Sequence, residues 1–137
     1  MRLEDKLIRD VMTRGVVTVS VRATVKEIVS LLSKKGISGI AVIGNDGVAV
    51  GVISYMDILK VIEKMNWEKI TAKSIMTSNI QMVRPMCTLG EAAKIMRENA
   101  IHRLFVFSEP GVGASHRPIG ILSASDIVRE AAKEESN

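Results

Sequence analysis

The sequence predicts a mixed α/β (α+β) fold built from two β-α-β-β-α repeats, and three observations support this prediction. The phrase GVISYMDI at residues 51–58 returns as GILSASDI at 120–127. Amphipathic helix patterns alternate with short runs of Ile, Val and Leu that are typical of strands. Matched segments also keep a nearly constant separation along the chain, which is the signature of an internal repeat.

The repeat has a definite register. Three pairs of segments are offset by 64 residues, as 77 − 13 shows for the threonines of the two M-T dipeptides. The glycines of the repeated phrases differ by 69 (120 − 51), so the second copy contains five additional residues before its phrase. The aligned positions are Thr13 with Thr77, Thr24 with Thr88, and Ile37 with Ile101.

Each copy has the same predicted elements. Thr24 and Thr88 are predicted helix N-caps, each followed three residues later by a glutamate in a capping box. Gly36 follows two lysines and predicts the end of the first helix. The predicted strands are 16–20, 39–43, 49–54, 80–83, 103–107 and 119–123, and the predicted helices are 25–36, 55–65, 89–100 and 124–134.

The loops and boundaries follow from the same pattern. An Asn-Asp-Gly turn joins the two strands of the first hairpin, whereas a longer Gly- and Pro-rich loop over 108–118 joins those of the second. We therefore expect one repeat at 8–65, a linker at 66–73 and a second repeat at 74–133. A sheet in so small a repeat has an apolar face to cover, so we expect the repeats to pack sheet to sheet with pseudo-two-fold symmetry.

Composition excludes several classes of function. The chain of 137 residues has a net charge of +4, and its lysines and arginines are scattered among acidic residues. Aromatic residues make up only 3% of the chain, which argues against a surface that binds single-stranded nucleic acid by stacking bases. One cysteine, Cys87, and two histidines far apart do not make a zinc site. A single cysteine and the absence of a signal-peptide core or an apolar run of ~20 residues lead us to expect a cytoplasmic protein.

Each repeated phrase ends in Ser-x-x-Asp at the start of a predicted helix, with Ser54 and Asp57 in the first copy and Ser123 and Asp126 in the second. One interpretation is structural, because serine caps a helix and aspartate stabilises its first turn. The other is a ligand site, because N–H groups at a helix N-terminus bind phosphate and a carboxylate accepts from ribose hydroxyls. The spacing leaves both interpretations open.

Taken together, these segments resemble a known family. The order DVMT, VTVS, GISGIAVI and GVISYMDI, written twice, is similar to a tandem pair of cystathionine-β-synthase (CBS) domains, the Bateman module. The resemblance covers about residues 8–132 and implies a stand-alone regulatory module rather than an enzyme. Members of this family bind AMP, ADP, ATP or sometimes S-adenosylmethionine in two related clefts.

The resemblance implies a first nucleotide cleft in which a carboxylate holds the ribose and hydroxyl groups bind the phosphate. An arginine adds charge-assisted hydrogen bonds to the phosphate, and two residues flank the adenine partly through backbone groups. The residues assigned are Asp126 for the ribose; Ser123, Ser125 and Thr13 for the phosphate, with His102 and Arg103 close by; and Thr18 and Ile37 for the adenine, with Ser38 beside them. His102 also fits the simpler interpretation of a polar residue at the start of a strand.

A second cleft is implied with fewer groups for phosphate. Gly39 stands where Arg103 stands in the other copy, and Met56 stands where Ser125 does. These differences remove a cation and a hydroxyl, so we expect this cleft to be empty or to favour a less charged adenosine compound. The residues assigned to it are Ser54, Asp57, Thr77, Met82 and Ile101.

Three functions are consistent with the sequence. The first is a regulatory adenine-nucleotide sensor, in which the ligand shifts the population of two conformations and an unknown effector protein responds. The second is a structural or dimerisation module with decayed ligand sites. Family members form head-to-head discs of four repeats, and the helices at 56–65 and 125–133 have apolar faces for such a homodimer. The third, a nucleic-acid-binding module, is suggested by net charge alone.

Overall fold

The structure, a computed structural model, describes residues 1–78, 81–108 and 118–135. Short 3₁₀ helices lie at Leu3–Asp5, Ile8–Asp10 and Trp67–Lys69. Its strands and helices in chain order are β1 (Thr13–Arg14), β2 (Thr18–Ser20), α1 (Val25–Lys35), β3 (Gly39–Ile43), β4 (Ala49–Ser54), α2 (Tyr55–Leu59), α3 (Ala72–Ile75), β5 (Met82–Val83), α4 (Leu89–Asn99), β6 (Arg103–Phe107), β7 (Pro118–Ser123) and α5 (Ala124–Glu135). The order β2-α1-β3-β4-α2 followed by β5-α4-β6-β7-α5 confirms the two predicted repeats.

The chain divides into two compact units that do not follow the repeat boundaries. The first-copy unit is Val16–Ile80, and the second-copy unit combines Met1–Gly15 with Gln81–Asn137. Residues 8–15, the beginning of the first predicted repeat, therefore belong to the second-copy unit. Likewise, residues 74–77, the beginning of the second predicted repeat, belong to the first-copy unit.

Both units contain a sheet of the same design. In the first-copy unit β2 is parallel to β3 and β3 is antiparallel to β4. In the second-copy unit β5 is parallel to β6 and β6 is antiparallel to β7. The M-T segments occupy matching places, because Thr13 of β1 pairs with Ile121 of β7 while Thr77 forms a bridge to Val52 of β4.

The repeated glycines make room for these M-T segments. A Cβ atom on Gly120 would lie 2.7 Å from the carbonyl oxygen of Thr13 and 3.0 Å from Met12 Sδ. A Cβ atom on Gly51 would lie 2.5 Å from Met76 Sδ. The distances of 2.7 Å at Gly120 and 2.5 Å at Gly51 are too short for a Cβ atom. The glycine in each phrase therefore allows close approach of a neighbouring segment.

Local signals for the helices are confirmed. The side chains of Thr24 and Thr88 accept hydrogen bonds from the backbone N–H groups of Glu27 and Glu91, both at 3.2 Å. Gly36 ends α1 with a left-handed φ of 61°, a conformation that costs glycine little. Each unit has its own apolar core, formed by residues such as Ile28, Ile40 and Ile53 in the first-copy unit and Leu89, Leu104 and Leu122 in the second-copy unit.

Two predictions about local structure need comment. The helix predicted at 55–65 is wrong in length, because α2 ends at Leu59 and hydrogen bonds to the third residue back follow at Val61 and Lys64. Adjacent β-branched residues at 61 and 62 weaken a helix at this point. Most of the long loop predicted at 108–118 lies outside the described residues. Within the described ranges, no helix combines the length and apolar character needed to cross a membrane.

Candidate functional site

The two Ser-x-x-Asp turns cap helices α2 and α5. The backbone N–H of Ser54 donates to Asp57 Oδ2 at 2.9 Å, and that of Ser123 donates to Asp126 Oδ2 at 2.8 Å. The arrangement is reciprocal in both copies: Asp126 N–H donates to Ser123 Oγ at 3.1 Å, and Ser54 and Asp57 form the matching capping box. The structural interpretation of the motif is confirmed in both copies, and any ligand must use the groups that capping leaves available.

In the first-copy unit the aspartate is fully engaged by the protein. Asp57 is only 5% exposed, and its second oxygen, Oδ1, accepts from Thr77 Oγ1 at 3.2 Å. Two backbone hydrogen bonds between Thr77 and Val52, at 2.9 and 3.0 Å, hold the threonine in place. The structure thus brings together Ser54, Asp57 and Thr77, as predicted, but as a closed network of hydrogen bonds.

In the second-copy unit the matching aspartate has a different partner. Asp126 Oδ1 accepts from Arg129 Nη1 at 3.1 Å, and the Arg129 side chain is 66% exposed. The hydroxyls of Ser123 and Ser125 lie 2.8 Å apart at the start of the same helix. Sequence reasoning missed Arg129, although its i,i+3 spacing from Asp126 was a signal that an ion pair could form.

The start of β6 lies beside this turn. Arg103 is opposite Ser123 in the β6–β7 register, and the carbonyl oxygen of His102 accepts from the N–H of Ala124 at 2.8 Å. His102 is exposed and Arg103 is half-buried. An imidazole and a guanidinium group therefore belong to residues at the same end of the sheet as the turn that caps α5.

The second-copy unit contains all the predicted groups for ribose and phosphate. Thr13 pairs with Ile121, two residues before Ser123 on the same strand, and is exposed. Hydroxyl, guanidinium, imidazole and carboxylate groups thus come from one unit. The set is Thr13, His102, Arg103, Ser123, Ser125 and Asp126.

Each of the remaining predicted residues lies in a different unit from the Ser-x-x-Asp turn of its predicted cleft. Thr18 is exposed on β2, Ser38 precedes β3, and the carbonyl oxygen of Ile37 accepts from Tyr55 Oη at 3.1 Å. In the second-copy unit, Met82 is 39% exposed on β5, and Ile101 packs against the core. Their participation in nucleotide sites stays a prediction.

The remaining candidates in the described part of the chain are a metal-binding cluster and the thiol of Cys87. Among residues 1–78, 81–108 and 118–135, no three His, Cys, Asp or Glu side chains are grouped to hold a metal ion. Cys87 is partly buried against the second-copy core, and its carbonyl oxygen accepts from the N–H of Ile8 at 2.8 Å. These contacts give Cys87 a structural role.

A comparison with protein families decides the classification. The model of the CBS domain matches twice, over residues 8–64 and 72–133. This chain belongs to the CBS domain family. The two matches coincide with the two repeats described above, so the chain contains a CBS domain pair.

Relatives of this CBS pair occur in proteins of different lengths. An inosine-5'-monophosphate dehydrogenase of Methanocaldococcus jannaschii is 29% identical over 88% of this chain, which spans only 22% of that enzyme. The chain spans 36% of a 33.4 kDa protein of Thermofilum pendens at 28% identity. It spans 90% of the uncharacterised M. jannaschii protein MJ1426 at 27% identity.

Solved structures share the fold of this CBS pair. A conserved protein of Pyrococcus horikoshii superposes with a TM-score of 0.80 at 24% identity, covering 96% of this chain and 95% of that one. The CBS domain pair of protein MJ0100 gives a TM-score of 0.82 at 23% identity, covering 94% and 98% respectively. The MJ0100 structure is a complex with 5'-methylthioadenosine and S-adenosyl-L-methionine.

Proposed function

We propose that this CBS pair is a regulatory module that binds an adenine nucleotide of the AMP, ADP or ATP type and acts on a partner protein without catalysing a reaction. The observation that carries the proposal is the group of polar side chains around the start of α5 in the second-copy unit. Its counterpart in the first copy lacks an arginine and a serine. The complex of the MJ0100 pair with two adenosine compounds supports a ligand of this class.

The phosphate is assigned to the hydroxyls and cations at the start of α5. The twelve-residue helix begins with backbone N–H groups and a partial positive charge that favour an anion. Ser123 and Ser125 add two hydroxyls 2.8 Å apart, and Thr13 adds a third. Arg103 would supply charge-assisted hydrogen bonds, which are stronger than neutral ones, and His102 would add a ring N–H donor.

The ribose is assigned to Asp126. Capping uses its Oδ2, whereas its Oδ1 accepts from the exposed Arg129 side chain, and a ribose hydroxyl would bind at this second oxygen. Thr18, Ile37 and Ser38 are proposed to contact the adenine, as the family resemblance implies. S-adenosylmethionine is an alternative ligand that would use the same ribose contact.

A second, weaker site is proposed around Ser54, Asp57 and Thr77, with Met82 and Ile101. Both carboxylate oxygens of Asp57 already accept hydrogen bonds within the protein. A ribose hydroxyl would have to displace Thr77 from Asp57, which is only 5% exposed. We therefore expect this site to bind nucleotides weakly or to serve the fold alone.

A second function, dimerisation, is favoured by the apolar surface of α2. Tyr55, Met56 and Leu59 are each more than half exposed. A groove of about 440 Å³ between α1 and α2 is lined by Val29, Leu32, Ser33, Tyr55, Ile58 and Leu59. Exposed apolar patches of this kind mark interaction surfaces. We propose that this face takes part in a homodimer of the head-to-head disc type.

Calorimetric titration with AMP, ADP, ATP and S-adenosylmethionine tests the nucleotide proposal. Asp126→Asn keeps an oxygen for capping but removes the charge. It should weaken binding about tenfold or more, since a hydrogen bond to a charged group contributes roughly 1.5–3 kcal/mol. Asp57→Asn, the matched change in the first copy, should leave the tighter binding event unchanged. The sensor function is wrong if none of the four compounds binds below about 1 mM, near the weak limit of specific binding.

A further inference from the structure

Arg129 lies one helical turn after Asp126 and holds the oxygen that the proposed function assigns to ribose. Its Nη1 donates to Asp126 Oδ1 at 3.1 Å, while Asp126 Oδ2 accepts from Ser123 N–H. We propose that Arg129 is a specificity-determining residue that donates to a ribose hydroxyl and makes this site select ribonucleotides over deoxyribonucleotides. This inference rests on the proposed binding of an adenine nucleotide at Asp126.

The pair differs from an ordinary surface ion pair in the exposure of its two members. The Asp126 side chain is 13% exposed and its position is fixed by the helix cap, whereas Arg129 is 66% exposed. A side chain at i+3 of a helix leans toward the N-terminus, and this places the guanidinium beside the capping turn. Because the Arg129 side chain is largely exposed, N–H donors of its guanidinium group are accessible to a ligand at Asp126.

The first copy shows what the same position does when no ligand group is required. Lys60 is the counterpart of Arg129, three residues after Asp57. The Oδ1 oxygen of Asp57 accepts instead from Thr77, within the first-copy unit. The arginine thus occurs in the copy whose carboxylate pairs with it, and a lysine occurs in the copy whose carboxylate accepts from a threonine.

A ribose hydroxyl can satisfy both members of the pair at once. A hydroxyl has one O–H donor and two acceptor lone pairs, so it can donate to Asp126 Oδ1 and accept from Arg129. The two protein atoms are within one hydrogen-bond length of each other, and this spacing lets a single oxygen contact both. A deoxy ligand lacks that oxygen and loses both bonds, leaving the carboxylate and the guanidinium paired with each other.

Titration of the full chain with AMP, 2'-deoxy-AMP and 3'-deoxy-AMP tests the inference. Wild type should bind AMP more tightly than at least one deoxy analogue. Arg129→Ala should weaken AMP binding about tenfold, the effect of one hydrogen bond that involves a charged group. Arg129→Ala should change the affinity for that deoxy analogue by less than about twofold. The preference for AMP over the analogue should therefore fall by about the same factor as the AMP affinity. Arg129→Lys, which keeps a donor, should restore part of the preference, and Lys60→Ala, the matched change in the first copy, should alter none of the affinities.

Other outcomes overturn the inference in separate ways. Equal weakening of all three ligands by Arg129→Ala would show a general charge effect on the phosphate. A gain in AMP affinity would show that Arg129 merely competes with the ribose for Asp126. If AMP binds in an Asp126-dependent manner but Arg129→Ala changes nothing, the nucleotide function stands and the role of Arg129 fails. If wild type binds no AMP, the function and the inference fail together.

Discussion

Thr77 Oγ1 donates to the buried Asp57 Oδ1 at 3.2 Å, although Thr77 itself is exposed, as is Thr13, its counterpart in the second copy. The two threonines occupy equivalent places beside β4 and β7. Thr77 completes a hydrogen-bond network with Asp57, whereas the matching oxygen of the second copy, Asp126 Oδ1, accepts from Arg129. The difference separates a copy that serves the fold from a copy that we propose binds the ligand.

Thr77→Val should destabilise the protein measurably. The change keeps the shape of the side chain but leaves a buried carboxylate oxygen without its donor, at a cost of about 1–3 kcal/mol. Urea unfolding followed by circular dichroism measures the free energy of unfolding. Thr13→Val, the matched change at an exposed position, should alter it by less than about 0.5 kcal/mol. Equal losses in the two variants would contradict the distinction between the copies.

Ser125→Met converts a second-copy residue into its first-copy counterpart. It should weaken AMP binding severalfold, because one hydrogen bond between neutral groups contributes about 0.5–1.5 kcal/mol. Adenosine, which has no phosphate, should bind as it does to wild type. The reverse change, Met56→Ser, is the control and should leave AMP affinity unaltered. If adenosine binding falls as much as AMP binding, Ser125 does not contact the phosphate.

Much of the fold could be predicted because the chain carries each signal twice. Helix caps and hairpin strands are local features, which can be predicted directly from sequence. Examples are the capping threonines Thr24 and Thr88 and the two strands of each hairpin. The division into units could not be predicted in this way. Nothing in residues 1–15 reveals that they pack with the second copy, since this depends on long-range pairing such as that of β1 with β7.

The candidate site was predictable in composition but not in hydrogen bonding. Residue types and spacing indicated Ser54, Asp57, Ser123 and Asp126 without showing which carboxylate oxygens would be used. That depends on tertiary neighbours: Thr77 reaches Asp57, while Arg129 reaches Asp126. Gly39 and Met56, in place of Arg103 and Ser125, already predicted unequal sites from the sequence. The side-chain contacts add a difference at the two aspartates that the sequence did not reveal.

Gly120→Ala should destabilise the protein more than Gly51→Ala. The new methyl group at residue 120 would lie 2.7 Å from a backbone carbonyl oxygen, that of Thr13, which cannot move without shifting β1. At residue 51 it would meet the side chain of Met76, which can change rotamer. We expect a loss of about 1–3 kcal/mol at 120, typical of overpacking, and a smaller loss at 51. Thermal unfolding of both variants makes the comparison, and the reverse ranking would contradict the geometry.

Lys6 joins the N-terminal segment to α5 in the second-copy unit. Its Nζ lies 2.9 Å from Glu130 Oε1 and 3.2 Å from Glu134 Oε1. Hydrogen bonds that Lys6 donates to Glu130 and Glu134 raise the pKa of Lys6, and the bond from Lys6 lowers the pKa of Glu130. Lys6→Met should therefore lower the melting temperature, and the effect should shrink in 1 M salt, where screening acts over about 3 Å.

The pH dependence of that effect follows from the two shifts. The contribution of Lys6 is complete below its ordinary pKa of 10.5 and is lost as pH rises through the higher folded value. The contribution of Glu130 is complete above its ordinary pKa of 4.5 and is lost as pH falls through the lower folded value. The difference in melting temperature between wild type and Lys6→Met should be largest between these two values. A difference that does not change with pH would indicate lost packing rather than a lost ion pair.

Leu59→Glu should weaken the proposed homodimer. Leu59 is 60% exposed on α2 and lines the apolar groove, and a carboxylate placed in an apolar interface must be desolvated without a partner. We expect the dissociation constant from sedimentation equilibrium to rise at least tenfold. Val128→Glu places the same charge at the matching position of the second copy, which is 68% exposed. Because Val128 has small or polar neighbours at the positions that match Tyr55 and Met56, namely Ala124 and Ser125, its change should weaken the dimer less. A protein that is monomeric at all concentrations, or a larger effect at Val128, would contradict the assignment of α2 as the main dimer face.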